Sequence, residues 1–159
     1  MTQYYFDSSA LVKYYLTETG SGWVSGLLDG RNFRGDWICQ VVTTLLSNVE
    51  GICALERARR GGRLDTVALD SARRRLLLDL RSRYRVLGVN RAIVLRAVDL
   101  ARDHPLRAYD AMHLATVLFL NKELAGKRLP VCVFVSADAN LLAAARAEGL
   151  AVENPNEHE

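Results

Sequence analysis

Residues 1–15 read MTQYYFDSSALVKYY. Tyrosine and phenylalanine favour a pleated, partly buried surface, so Gln3–Phe6 is expected to be a strand. Ser8–Leu16 then reads as a helix, and a lone carboxylate, Asp7, stands where one gives way to the other. The second decisive stretch is VCVFVSAD, residues 131–138. Val131–Val135 is apolar throughout, as a strand covered on both faces should be. A turn and a helix to Glu148 follow it, closed by Gly149, and Asp138 lies just past the strand end. Both ends of the chain thus carry strand, acid, helix. An α/β fold with a mostly parallel sheet follows.

The segments between them fit that plan. Trp23–Leu28 reads as a short helix ended by Asp29-Gly30, and Trp37–Gln40 as a strand. Thr43–Arg60 has helical periodicity, with Leu45, Leu46, Val49, Ile52 and Cys53 on one stripe, and Gly61-Gly62 stops it. Asp65–Arg83 is expected to be a helix and Tyr84–Val89 a strand. Asn90 caps a helix to Asp103, which His104-Pro105 ends. Tyr109–Leu124 is a further helix, and Ala151–Glu153 a last edge strand. The polar tail NPNEHE, residues 154–159, is expected to fray.

The chain has 159 residues, half of them hydrophobic and a quarter charged, which suits one soluble domain with a real core. No basic stretch precedes an apolar run at the N-terminus, and AMHLATVLFL is too short for a membrane span, so a cytoplasmic protein without a membrane segment is expected. Cys39, Cys53 and Cys132 match no zinc or disulfide spacing and are expected to be free thiols in a reducing compartment. The net charge is only +3, yet ten arginines fall between Arg57 and Arg85. They read either as solvated helix faces or as phosphate contacts, with Arg73, Arg74 and Arg75 the exposed set.

In a parallel sheet, functional groups gather at the carboxyl ends of the strands. Asp7 and Asp138 are both strand-end acids. Asp110 opens a helix, and Glu50 lies on a helix flank roughly 100° from its apolar stripe. Each has an ordinary reading, as helix cap, first-turn acid or solvated residue. As a set they describe a carboxylate cluster.

Four pieces, YYFDSSALVKYY, LLSNVEGICAL, LRAYDAMHLATVL and VFVSADANLLAAARAEGL, occur in an order and at intervals that resemble a PIN domain, most closely the VapC-type toxins of toxin–antitoxin pairs. The resemblance implies a three-layer α/β/α sandwich, with a single nuclease domain over residues 1–153 and the tail beyond it. It places the family's acidic residues on Asp7, Glu50, Asp110 and Asp138, and matches Ser136 to a hydroxyl residue beside them. Gly51, inside the helix after Glu50, departs from good helix chemistry; a close packing contact or a slightly altered presentation of Glu50 would account for it.

Such a cluster is unfavourable until cations neutralise it, and hard oxygen donors suit Mg²⁺ or Mn²⁺. The expected activity is metal-dependent endonucleolytic hydrolysis of RNA, with Asp7 the central ligand, Asp110 and Asp138 direct or water-mediated ligands, and Glu50 holding a second ion or orienting water. RNA as substrate, a cognate antitoxin and a homodimer are implications of the resemblance. Tyr14, Tyr15, Leu16, Trp23 and the helix pair over residues 43–83 are candidate partner surfaces or core. Ser8 and Ser9 read as acceptors for the free amides at the helix N-terminus, and His113 as a hydrogen-bonded structural residue in preference to a general base. A processing nuclease without antitoxin and a noncatalytic RNA-binding domain are the alternatives. A haloacid-dehalogenase-type phosphatase is disfavoured because Ser9 stands where its second aspartate would be.

Overall fold

Tyr5 and Phe6 point to opposite faces of the first strand, and each is fully buried in a different apolar core. That alternation is the signature of a sheet covered on both sides. A computed structural model describes residues 1–158. Its five strands are β1 (Thr2–Phe6), β2 (Cys39–Thr44), β3 (Arg85–Leu87), β4 (Val133–Val135) and β5 (Val152–Glu153). All neighbours run parallel, in the order β3-β2-β1-β4-β5.

On one face lie α1 (Ser8–Leu11), α2 (Ser21–Asp29), α3 (Leu46–Arg60) and α4 (Thr66–Ser82), packed over Phe6, Val41 and Val135. On the other lie α5 (Arg91–Asp103), α6 (Ala108–Gly126) and α7 (Ala139–Ala147), packed over Tyr5, Val42 and Phe134. The result is the expected α/β/α sandwich. Phe6 pairs with Val135 in register, so Asp7 and Ser136 leave the sheet side by side. From β1 the chain builds outward through β2 to β3, then returns to place β4 on the other side of β1. The break between β1 and β4 is the topological switch point, where open α/β sheets place their ligands.

Several boundaries differ from the sequence reading. The second strand covers Cys39–Thr44 rather than Trp37–Gln40, and α3 begins at Leu46 rather than Thr43. The β-branched run Val41–Thr44 suits a pleated strand. Thr43 is also anchored there, its hydroxyl donating to the Phe6 carbonyl at 2.8 Å. Trp37 instead sits in a loop bridged to Arg31, with the guanidinium groups of Arg31 and Arg83 against its ring. The first helix is one turn of α-helix continued by a 3-10 turn over Val12–Tyr14.

The tail is not frayed over residues 154–158. Pro155–Glu157 form a 3-10 turn with Pro155 buried, and His158 stacks on Trp23 at 4.4 Å. Gly20, at a φ of 84°, accepts the Pro155 backbone so closely that a side chain there would collide with it. Among the described residues no helix is long and apolar enough to cross a membrane, and all three cysteines are free.

The orientation of α3 departs most from the pattern. Its buried residues are Ser47, Gly51, Leu55 and Ala58, whereas Leu45 and Val49 are more than half exposed and Cys53 is exposed. Ser47, Gly51 and Ala58 face the core beside Leu55 and the half-buried Ile52, because Thr43 of β2 meets Ser47 and Leu76 of α4 meets Gly51. A β-carbon on Gly51 would lie 2.7 Å from Cδ2 of the fully buried Leu76. This close approach accounts for the mid-helix glycine. Gly51→Leu should therefore destabilise the fold by about 1–3 kcal/mol through overpacking, read as a lower urea midpoint. Gly51→Ala should cost less, because the end of the Leu76 side chain can yield and alanine favours the helix.

Candidate active site

Asp7 is buried and never without a partner. Its Oδ1 accepts from the backbone N–H of Ala10 at 2.9 Å, so the acid does cap α1. The Ser9 hydroxyl donates across both carboxylate oxygens, at 2.8 and 2.9 Å. The Ser136 hydroxyl donates to Oδ2 at 2.6 Å. The two serines are themselves fixed, since Ser9 Oγ accepts from the Ala137 N–H and Ser136 Oγ from the Asp138 N–H. Ser9 thus links the β1 end to the β4 end. Sequence reading gave Ser9 only a helix-end role; its i+2 spacing from Asp7 was the available signal.

Asp138 caps α7 by accepting from the Leu141 N–H at 2.9 Å, and Asp110 sits in the first turn of α6. The helix N-termini favour negative charge at both positions. Between these acids lies Arg107, at the N-terminal edge of α6. Its Nε donates to Asp110 Oδ2 at 2.8 Å and its Nη2 to Asp138 Oδ2 at 3.2 Å. The Asp110 hydrogen bond and charge push the Arg107 titration up, with Asp138 and Glu50 adding to it. Arg107 was not singled out from sequence, since a lone arginine three residues before an acid reads as an ordinary helix-surface pair.

Glu50 projects from α3, opposite α6, and is oriented by His113. The imidazole Nε2 lies 2.7 Å from Glu50 Oε2, and Nδ1 lies 3.2 Å from the Tyr5 hydroxyl. His113 is almost fully buried, so the chain Tyr5–His113–Glu50 runs from the sheet to the site. This agrees with a hydrogen-bonded structural histidine and adds a function for it, which is to hold the glutamate.

All four acids line one cleft of about 890 Å³. Val12, Leu16, Val49 and Cys53 supply its apolar wall, and Lys13, Arg57, Arg63 and Arg107 its cations. Val49 and Cys53 of the apolar stripe read on α3 therefore line this cleft, while Ile52 of the same stripe packs against the core. Arg73, Arg74 and Arg75 do not line it; Arg73 pairs with Asp70 and Arg75 bonds the Tyr14 hydroxyl. Arg57 and Arg63 are the members of the arginine-rich segment that reach the site. Of the candidate partner residues, Tyr14 and Leu16 are buried, and Leu16 borders the cleft.

Among the described residues, no three carboxylate, imidazole or thiol groups are drawn together as a ready metal cage. Each acid is engaged by a protein donor instead: Asp7 by serines, Glu50 by His113, Asp110 and Asp138 by Arg107. The donor set nevertheless fits a hard divalent cation. It offers carboxylate oxygens from four elements around one cleft, and two of these acids already share one cationic group.

The residues 4–128 match the PIN domain family, which takes in Asp7, Glu50 and Asp110, with Asp138 beyond the matched span. The chain belongs to the PIN domain family. A relative, ribonuclease VapC45 of Mycobacterium tuberculosis, is 36% identical over 114 residues, 72% of this chain and 74% of that protein. The crystal structure of PAE2754 from Pyrobaculum aerophilum superposes with a TM-score of 0.58 at 20% identity, covering 95% of this chain and 83% of that one. A chain of a toxin–antitoxin complex from Klebsiella pneumoniae gives 0.55 at 17% identity, covering 96% and 97%. At such identities the superpositions establish the PIN fold, including the β4 region past residue 128.

Burial pushes the Asp7 carboxyl above its ordinary value, while the nearby His113 and the bonds from Ser136, Ala10 and Ser9 pull it back. A raised folded-state value means the folded chain binds the proton more tightly than the unfolded chain. Ionised Asp7 therefore costs stability at neutral pH, and the cost fades as pH falls through the folded value to below the ordinary 3.8. Asp7→Asn in this PIN domain should accordingly melt no lower than the parent at pH 7.5 without added metal. Its advantage should shrink towards pH 4, as read by differential scanning fluorimetry across pH.

Proposed function

We propose that this PIN domain is a divalent-metal-dependent endoribonuclease, the toxin of a toxin–antitoxin pair. The observation that carries the reading is the convergence of Asp7, Glu50, Asp110 and Asp138, from four separate elements, on one cleft at the carboxyl end of β1. Kinship with a protein named as a ribonuclease supports RNA as the substrate. The fold shared with a chain of a toxin–antitoxin complex is in keeping with an antitoxin partner. A noncatalytic RNA-binding role is disfavoured, because a site for a polyanion gains nothing from clustered negative charge.

The four acids would hold Mg²⁺ or Mn²⁺, and the cation supplies charge neutralisation and water activation beside a phosphodiester. The protein's own contribution is to fix the acids in advance. Ser9, Ser136 and the Ala10 N–H donate to Asp7 and hold it at the cleft, and His113 keeps Glu50 turned inward to orient the attacking water. Arg57 and Arg63 attract the RNA backbone towards the acids. Residues 1–153 act as a single nuclease domain, and a homodimer in a reducing cytoplasm belongs to the same reading.

Purified protein should cleave RNA with Mg²⁺ or Mn²⁺ and lose the activity in EDTA; cleavage that survives chelation overturns the metal mechanism. Asp7→Asn should lower the cleavage rate by at least about a hundredfold, as expected when a metal or catalytic ligand is lost. It should also abolish growth inhibition on expression, while circular dichroism stays unchanged. A neighbouring reading frame encoding a small DNA-binding protein with a flexible tail, whose product silences the activity, is expected; without one, the processing-nuclease reading takes precedence. Arg57→Gln should weaken RNA binding and lessen the slope of log affinity against log salt by about 0.7. Arg73→Glu should leave both unchanged.

A further inference from the structure

Arg107 stands apart from the other cleft cations in its geometry. The side chains of Asp110 and Asp138 are only 16% and 27% exposed, while that of the arginine joining them is 79% exposed. The planar fork of the guanidinium reaches both acids from the solvent side, one through Nε and the other through Nη2. Arg107 is also tethered close by, one residue before α6 and three before Asp110. An exposed arginine gains little from such pairs and gives up side-chain freedom to make them. The contact is therefore strong enough to offset repulsion between the acids and weak enough to yield.

We propose that Arg107 is a built-in counter-cation that occupies the Asp110–Asp138 pair in the metal-free chain and must be displaced when a divalent ion binds. The inference rests on the metal-dependent reading given above. Its consequence is a threshold. A side chain that holds the ligands in a competing arrangement lowers the apparent affinity for the ion by the fraction of time that it is bound. Any agent that draws the guanidinium away, a phosphate group of the substrate among them, would then favour metal loading. Arg57 lines the same cleft but makes no hydrogen bond or ion pair to any carboxylate among the described residues, so it contributes to the local field without competing for the ligands.

The test is direct Mn²⁺ binding to the purified full-length chain, followed by isothermal calorimetry and by loss of the free Mn²⁺ resonance signal. Arg107→Gln is expected to bind Mn²⁺ roughly five- to thirtyfold more tightly than the parent. The Mn²⁺ concentration giving half-maximal RNA cleavage should fall in parallel. Arg57→Gln is expected to change Mn²⁺ affinity less than twofold. Equal Mn²⁺ affinity for the parent and Arg107→Gln overturns the proposal while leaving metal dependence intact. So does an equal gain from Arg57→Gln, since that would be a general charge effect. If neither parent nor variant takes up Mn²⁺, the metal-dependent reading falls, and this one with it.

Discussion

One buried carboxylate organises this end of the molecule. Asp7 leaves β1 beside β4, and the donors that make its burial tolerable come from both the first turn of α1 and the end of β4. The Ala10 N–H belongs to the first turn of α1, Ser9 to the same turn, and Ser136 to the end of β4. An ionised group taken out of water without such partners would cost several kcal/mol. The parallel pairing of β1 and β4 is therefore more than a sheet contact, because it brings the donors that let an acid sit inside the fold. Because the Ser136 and Ser9 hydroxyls also accept from the turn leading to Asp138, the position of one acid sets that of the next.

The remaining acids are arranged around that centre by contrasting means. Glu50 is held from behind by a buried imidazole that is itself positioned by Tyr5, so its support passes through the core layer. Asp110 and Asp138 are held from the front by an exposed guanidinium. The first support is buried and fixes one orientation, whereas the second is a side chain open to solvent. The same cleft combines its four acids with the exposed Arg57 and with Lys13 and Arg63, both of which pair with Glu18.

Much of this was readable from the chain in one dimension. The aromatic run before Asp7, the uniformly apolar Val131–Val135 and the acids after both strands are local patterns, and the α/β class followed from them; the three-layer sandwich and the full set of four acids came with the resemblance to the PIN family. Boundaries were less legible where chemistry is ambiguous. The run Val41–Thr44 could be assigned to either a strand or a helix start until its pairing with β1 was known, since β-branched residues enter both. The tail looked wholly polar, yet Pro155 and His158 find a glycine and a tryptophan that lie more than 130 positions earlier in the sequence.

By itself, then, the sequence determined most of the succession of strands and helices and the two acids that follow strands, because backbone propensity and hydrophobic period act over a few residues. Only the tertiary structure decided which side of α3 is core. Ser47 and Gly51 are buried because β2 and α4 come close, and the more hydrophobic Val49 and Cys53 are left to line a cleft. It likewise decided that Ser9 clamps Asp7, that Arg107 spans two acids, and that Arg57 and Arg63, not Arg73–Arg75, reach the site. Each of these depends on where a neighbouring element lies, and no periodicity within a single segment carries that information.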